Sequence, residues 1–96
     1  MIEGIYRLIS KDENSAVVEL SDKKHPIFKA HFPTQPILPG FIHFEIVSEL
    51  FEIEITSIKK AKFMKSVLPN ETLKYEKNGN KFKVLRDSEL VASFSL

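Results

Sequence analysis

Three residues in a single stretch carry the acid–base chemistry this sequence can offer. His31 heads "HFPTQPILPG", residues 31–40, Glu45 sits inside "FIHFEIVSELF", residues 41–51, and Gly40 joins the two. A neutral imidazole accepts a proton near neutral pH. A carboxylic acid kept protonated by apolar neighbours donates one, and Phe41, Ile42, Phe44, Ile46 and Val47 surround Glu45 in the chain. Their company is expected to push the Glu45 pKa upward. Opposite proton roles on two such groups suit an elimination. Gly40 is expected to open a helix, where N–H groups lack intrahelical acceptors and a ligand can approach closely. A carbonyl oxygen placed there would have its developing negative charge stabilised.

Taken one at a time, these residues are ordinary: a loop histidine, and a helix glutamate facing water. What distinguishes them is the frame that holds them. Pro33, Pro36 and Pro39 each fix their own φ and restrict the residue before. The loop carrying His31 therefore loses little entropy when its backbone is held. From Gly40 to about Ile53, apolar residues cover nearly every side of a helical wheel, which predicts a helix buried all round. Glu45 would lie about one and a half turns in.

The rest of the chain supplies the wrapping. "YRLIS" (6–10) and "SAVVELS" (15–21), separated by "KDEN", read as a hairpin. Residues 22–38 are broken too often by proline for a long helix or a central strand. Four further strands are expected over 55–65, 71–77, 81–87 and 90–96, punctuated by Pro69-Asn70, Asn78-Gly79-Asn80 and Asp87-Ser88-Glu89. The fold class is α+β, a curved antiparallel sheet around one central buried helix, in a single domain over residues 1–96. The last strand closes the sequence, so an open sheet edge is expected, which a second copy would cover.

Composition narrows the function. Ninety-six residues are expected to hold one core, and eight Phe without Trp suggest that it is built around Phe and aliphatic side chains. A net charge of +1 gives no bulk drive toward nucleic acid. With no Cys, thiolate nucleophiles, thiolate metal sites and disulfides are excluded. Three His without short ligand spacing do not suggest a metal centre. His25 begins a Pro-containing turn, and His43 is expected on the wetter side of the helix. Glu3 and Arg7 interrupt the N-terminal apolar residues, unlike a signal peptide, and no apolar run approaches a membrane span. A soluble, cytoplasmic protein is the expectation. "KKAKFMK" reads as a solvated strand face that could also help dock an acidic carrier protein.

Together, "HFPTQPILPGFIHFE" resembles the His-Phe-Pro-x-x-Pro-x-x-Pro-Gly-x-x-x-x-Glu signature of the FabZ-type 3-hydroxyacyl-[acyl-carrier-protein] dehydratases, with every fixed position present. "IKKAKFMKSVLPNETLKY" is similar to the strand and turn that follow the helix in that family, so the resemblance covers residues 25–75. It implies the hot-dog fold and a dehydration yielding a trans-2-enoyl thioester. His31 would remove the α-proton, Glu45 would protonate or orient the departing β-hydroxyl, and the Gly40 amide would bind the thioester carbonyl. Phe32, Pro39, Phe41 and Glu49 would contact the substrate. No metal or organic cofactor is implied. The acyl group would arrive on an acyl carrier protein, or as a coenzyme A thioester. A homodimer, or a higher oligomer built from it, would bring His31 and Glu45 together from different subunits.

Several positions depart from that pattern. Ile46-Val47-Ser48-Glu49 stands where the family has Ala-x-Ala-Gln, so Glu49 places a like charge near Glu45. Thr34 replaces a usual Gly, and Phe41 a usual smaller residue, which would narrow the acyl tunnel. The chain is also shorter than typical members, which argues against a hexamer made of dimers. These departures suggest a specialised dehydratase outside the main fatty-acid cycle, such as one serving a polyene or other secondary lipid. Two alternatives stay open: another hot-dog thioester enzyme (a thioesterase or enoyl hydratase), and a non-catalytic acyl-thioester-binding module.

Overall fold

Six strands and two helices follow one another in the computed structural model, which describes residues 2–30 and 35–96. In chain order they are β1 (Tyr6–Lys11), β2 (Ser15–Leu20), α1 (Pro26–Ala30), α2 (Ile42–Phe51), β3 (Lys60–Phe63), β4 (Thr72–Asn78), β5 (Lys81–Arg86) and β6 (Glu89–Ser95). The strands form one antiparallel sheet in the order β1-β2-β4-β5-β6-β3. With α2 packed on one face, this is the hot-dog architecture.

Local chemistry sets the hairpins. Asp12 closes the first turn: its carboxylate accepts from the Asn14 N–H at 2.9 Å and from the Ser15 N–H at 2.8 Å. Those bonds hold its pKa below the usual carboxylate value, the Asn14 bond contributing most. Gly79 takes φ +62° in the β4–β5 turn. Asp87 and Ser88 both adopt positive φ between β5 and β6, as a two-residue turn matched to strand twist requires. A bulge at Val91 lets it and Ala92 both point inward and bends the sheet around the helix.

Alternation in β2, β4 and β5 turns Ala16, Val18, Leu20, Leu73, Tyr75, Phe82 and Val84 toward α2. The helix answers with Ile42, Ile46, Val47 and Leu50. Rings run along the seam: Phe51 against Phe82 at 6.1 Å, Phe82 stacked on Phe94 at 5.2 Å, and Phe94 edge-on to Phe44 at 4.8 Å.

Several expectations change. The helix is buried on one face, while Phe41 is exposed and Phe44, Glu45 and Ser48 are half-buried. A wheel with apolar residues all round thus has one side free of the chain's own sheet. His43 lies on the buried side. Residues 22–38 include a five-residue helix, α1, with the His25 Nδ1 accepting from the Ile27 N–H at 3.0 Å at its start. The sheet edges are β1 and β3, and β6 lies inside. β3 is shorter than the expected 55–65 because it begins opposite Ser95, where its partner β6 ends.

Arg86 fastens the segment after β3 to the sheet. Its guanidinium donates to the Ser66 carbonyl at 2.8 Å, to Glu71 at 2.9 Å and to Glu89 at 3.0 Å, and these carboxylates raise its pKa further. Glu71 also accepts from the Leu68 N–H at 2.7 Å. Arg86→Met is expected to cost about 1–2 kcal/mol in urea unfolding, since several charge-assisted bonds are lost at a partly exposed site. Hydrogen exchange at the Leu68 amide should accelerate with it.

Candidate functional site

The start of α2 is built as a tight turn. Ile42, His43 and Phe44 N–H groups donate to the carbonyls of Pro39, Gly40 and Phe41 at 3.0–3.1 Å. The preceding loop is tied down where the Leu38 N–H meets the Val67 carbonyl at 2.8 Å. The Gly40 N–H has no acceptor among the described residues, as an unsatisfied helix-start donor should. Glycine leaves room here for a close aromatic neighbour. A Cβ at position 40 would stand 3.0–3.1 Å from ring carbons of Phe63, so the close approach expected of a ligand is made on that side by this ring.

Two grooves meet at this helix start. One, of about 400 Å³, is lined by Ile37, Leu38, Pro39, Gly40, Phe41, His43 and the run Phe63–Val67. The other, of about 410 Å³, is lined by Phe41, Phe44, Glu45, Ser48, Glu54 and Ile55. Phe41 lines both and forms the ridge between them. Pro39, Gly40, Phe41 and Glu45 are therefore brought together around one end of α2. His31 and Phe32, with Thr34, lie outside the described residues.

Glu45 is half-buried on the side of α2 turned from the sheet, with Phe41 and Phe44 beside it. A second carboxylate, Glu54, shares its groove; the sequence offered no periodic signal for it. Glu49 goes elsewhere. It accepts a hydrogen bond from the Tyr6 hydroxyl at 2.9 Å, linking α2 to β1, and does not line the Glu45 groove. Burial first, and the Glu49 carboxylate second, push the Tyr6 pKa up to about 12.

His43 is the largest departure from expectation. It is 3 % exposed, its Nδ1 lies 2.7 Å from the Tyr75 hydroxyl, and its ring stacks on Phe63 at 6.3 Å. Desolvation lowers its pKa to about 4, so it is neutral at physiological pH. Desolvation likewise raises that of the fully buried Tyr75. The imidazole reached the core because β4 places a hydroxyl opposite it, a partner 32 residues away in sequence. Among the described residues, His, Cys, Asp and Glu side chains form no group of three or more suited to a metal ion. No helix among them is long and apolar enough to cross a membrane.

Comparison with known proteins places this geometry in context. The family model described as "ApeI-like: ApeI dehydratase" matches residues 8–94. A 3-hydroxyacyl-[acyl-carrier-protein] dehydratase FabZ from Desulforamulus reducens is 28% identical over 85 residues, 73% of this chain and 60% of that protein. The FabZ of Clostridium tetani is 36% identical over 62 residues, 51% of this chain and 44% of its own. The chain thus spans 60% or less of the length of these curated relatives. Among solved structures, the ApeI:P dehydratase heterocomplex from Xenorhabdus doucetiae aligns with a TM-score of 0.68 at 23% identity, over 95% of this chain and 93% of that one. The PaaI protein of E. coli aligns at 0.61 and 16% identity, over 97% and 82%. At these identities the structural likeness establishes the hot-dog fold.

Proposed function

The chain belongs to the ApeI-like dehydratase family, and from that membership we propose that it removes water from a 3-hydroxyacyl thioester as a single hot-dog domain over residues 1–96. His31 takes the α-proton as the Cα–Cβ double bond forms. Glu45 protonates the β-hydroxyl as its C–O bond breaks, and a trans-2-enoyl thioester and water leave with no change in oxidation state. The Gly40 N–H receives the carbonyl oxygen as negative charge builds on it. One observation carries this reading: an unsatisfied Gly40 N–H opens the helix that also presents Glu45, with Phe41 between their grooves.

The free side of α2 and the β3 edge favour a homodimer. Phe41, Ile58, Phe63 and Met64 are 41–50% exposed there, more apolar surface than an edge strand needs in isolation. A second copy would cover them and bring its own His31 to Glu45.

The substrate is proposed to arrive on an acidic carrier protein. On the outer face of the sheet, Ser95 on β6 stands between Lys60 on β3 and Lys81 on β5, and Ser93 between Lys62 and Lys83. Among the described residues these four lysines have no carboxylate partner, whereas Lys74 pairs with Glu76 and Lys65 with Glu89. Like charges held in two rows fit an acidic surface.

The test is to add carrier-bound 3-hydroxyacyl thioester and follow the loss of water by mass spectrometry. Absence of turnover over several chain lengths, by a folded dimer that binds substrate, would favour the acyl-binding module instead. Lys60→Glu with Lys83→Glu should raise KM for the carrier substrate roughly tenfold at low salt and leave a pantetheine thioester unaffected. Equal losses on both substrates would remove the carrier from this face.

A further inference from the structure

The buried His43–Tyr75 pair ends in a hydrogen-bond donor that the proposed dehydration does not use. Tyr75 is 0% exposed, and among the described residues its hydroxyl has one partner, the His43 Nδ1 at 2.7 Å. A buried O–H without an acceptor is costly, so this hydroxyl donates and Nδ1 accepts. A neutral imidazole that accepts at Nδ1 carries its proton on Nε2.

The position of Nε2 follows from the surroundings. Among the described residues no fully buried side-chain nitrogen or oxygen lacks a hydrogen-bond partner, and Nε2 has none. It must therefore reach accessible space, and the space His43 lines is the groove at Gly40. Beside Ile37, Leu38, Pro39, Phe63, Met64 and Val67, the groove is lined by Ser66 and by Lys65, whose ammonium pairs with Glu89 at 3.8 Å. The imidazole lies within 19° of the plane of the Phe63 ring, and the Tyr75 hydroxyl fixes its tautomer.

We propose that the His43 Nε2–H, held by Tyr75, is a hydrogen-bond donor to the carbonyl oxygen of an acyl thioester bound in this groove, acting with the Gly40 N–H. The inference deepens the dehydratase reading and rests on it for the identity of the ligand. A donor in this groove favours a ligand that brings an oxygen to it. A ligand that fills the same space without an oxygen strands the donor. Because the imidazole is neutral, it donates without bringing a charge into the groove.

Imidazole 15N–1H spectra of the protein test this directly. The probes are an acyl-pantetheine thioester without a 3-hydroxyl, and the thioether of the same chain length, which lacks only the carbonyl oxygen. Wild type should show the Nε2–H tautomer for His43, and its resonance should move with the thioester and stay with the thioether. His43→Leu should bind the thioether as wild type does and the thioester roughly tenfold more weakly. Tyr75→Phe, which frees the tautomer, should lose part of the same preference.

An Nδ1–H tautomer overturns the proposal, as does an unmoved Nε2–H with the thioester demonstrably bound. Equal weakening of both ligands in His43→Leu does so too. The wild-type spectra decide the matter even where His43→Leu does not fold. Thioester binding through His43 without turnover of any 3-hydroxyacyl substrate would refute dehydration and leave this role standing.

Discussion

His31→Ala and Glu45→Gln should each lower turnover of a 3-hydroxyacyl thioester by roughly a hundred- to ten-thousand-fold, the range typical of a lost proton-transfer group. Both effects should appear mainly in kcat, because each group acts on a proton that moves in the transition state. Glu45→Gln keeps the shape of the groove beside Phe41 and Phe44 and removes the acid alone. Mixing the two variants separates a shared site from a self-contained one. If each site takes its histidine from one subunit and its glutamate from the other, a mixed dimer contains one intact site of two. Random re-association makes half the dimers mixed, so activity should return to about a quarter of wild type. A mixture that stays inactive after verified exchange would place both residues of each site on one chain.

The mixed-dimer result bears on how the proposed site divides between local and distant order. The placement of Gly40 at a helix start and of Glu45 on that helix was legible because both lie on one short segment. The hairpins were legible for a similar reason, since Asp12, Asn78-Gly79 and Asp87-Ser88 each set a turn through their own backbone or side chain. What the sequence concealed depends on contacts between distant segments. His43 counts as polar in any periodic pattern, and only the register of β4 puts a hydroxyl against it. Glu49 looked like a neighbour of Glu45, yet the Tyr6 hydroxyl draws it toward β1. The space beside Gly40 is filled on one side by the ring of Phe63 on β3, a contact no local pattern announces. The half-buried side of α2 was concealed in another way: a wheel that is apolar all round predicts cover on every side, and the sheet covers one.

Acid should destabilise the protein through His43 as the pH falls below the ordinary imidazole value. Its pKa of about 4 in the folded state lies below the ordinary value of 6.5, so the unfolded chain binds the proton more readily. Stability must then rise with pH across this window, and fall as pH drops from 6.5 toward 4. The expected loss from this one group is about 2 kcal/mol by pH 5 and about 3 kcal/mol by pH 4. Asp12 and Glu89, whose pKa values are lowered by hydrogen bonds in the fold, also lose stabilisation on acidification, but at lower pH. Urea unfolding of wild type and His43→Leu at pH 7, 6 and 5 isolates the histidine. The difference in slope between the two proteins is the quantity to read, because His43→Leu also removes the Tyr75 hydrogen bond and shifts stability at every pH. Parallel curves between pH 7 and 5 would mean that His43 is protonated in the fold as easily as in the unfolded chain. That would contradict its burial against Tyr75 and Phe63, and with it the neutral tautomer on which an Nε2–H donor depends.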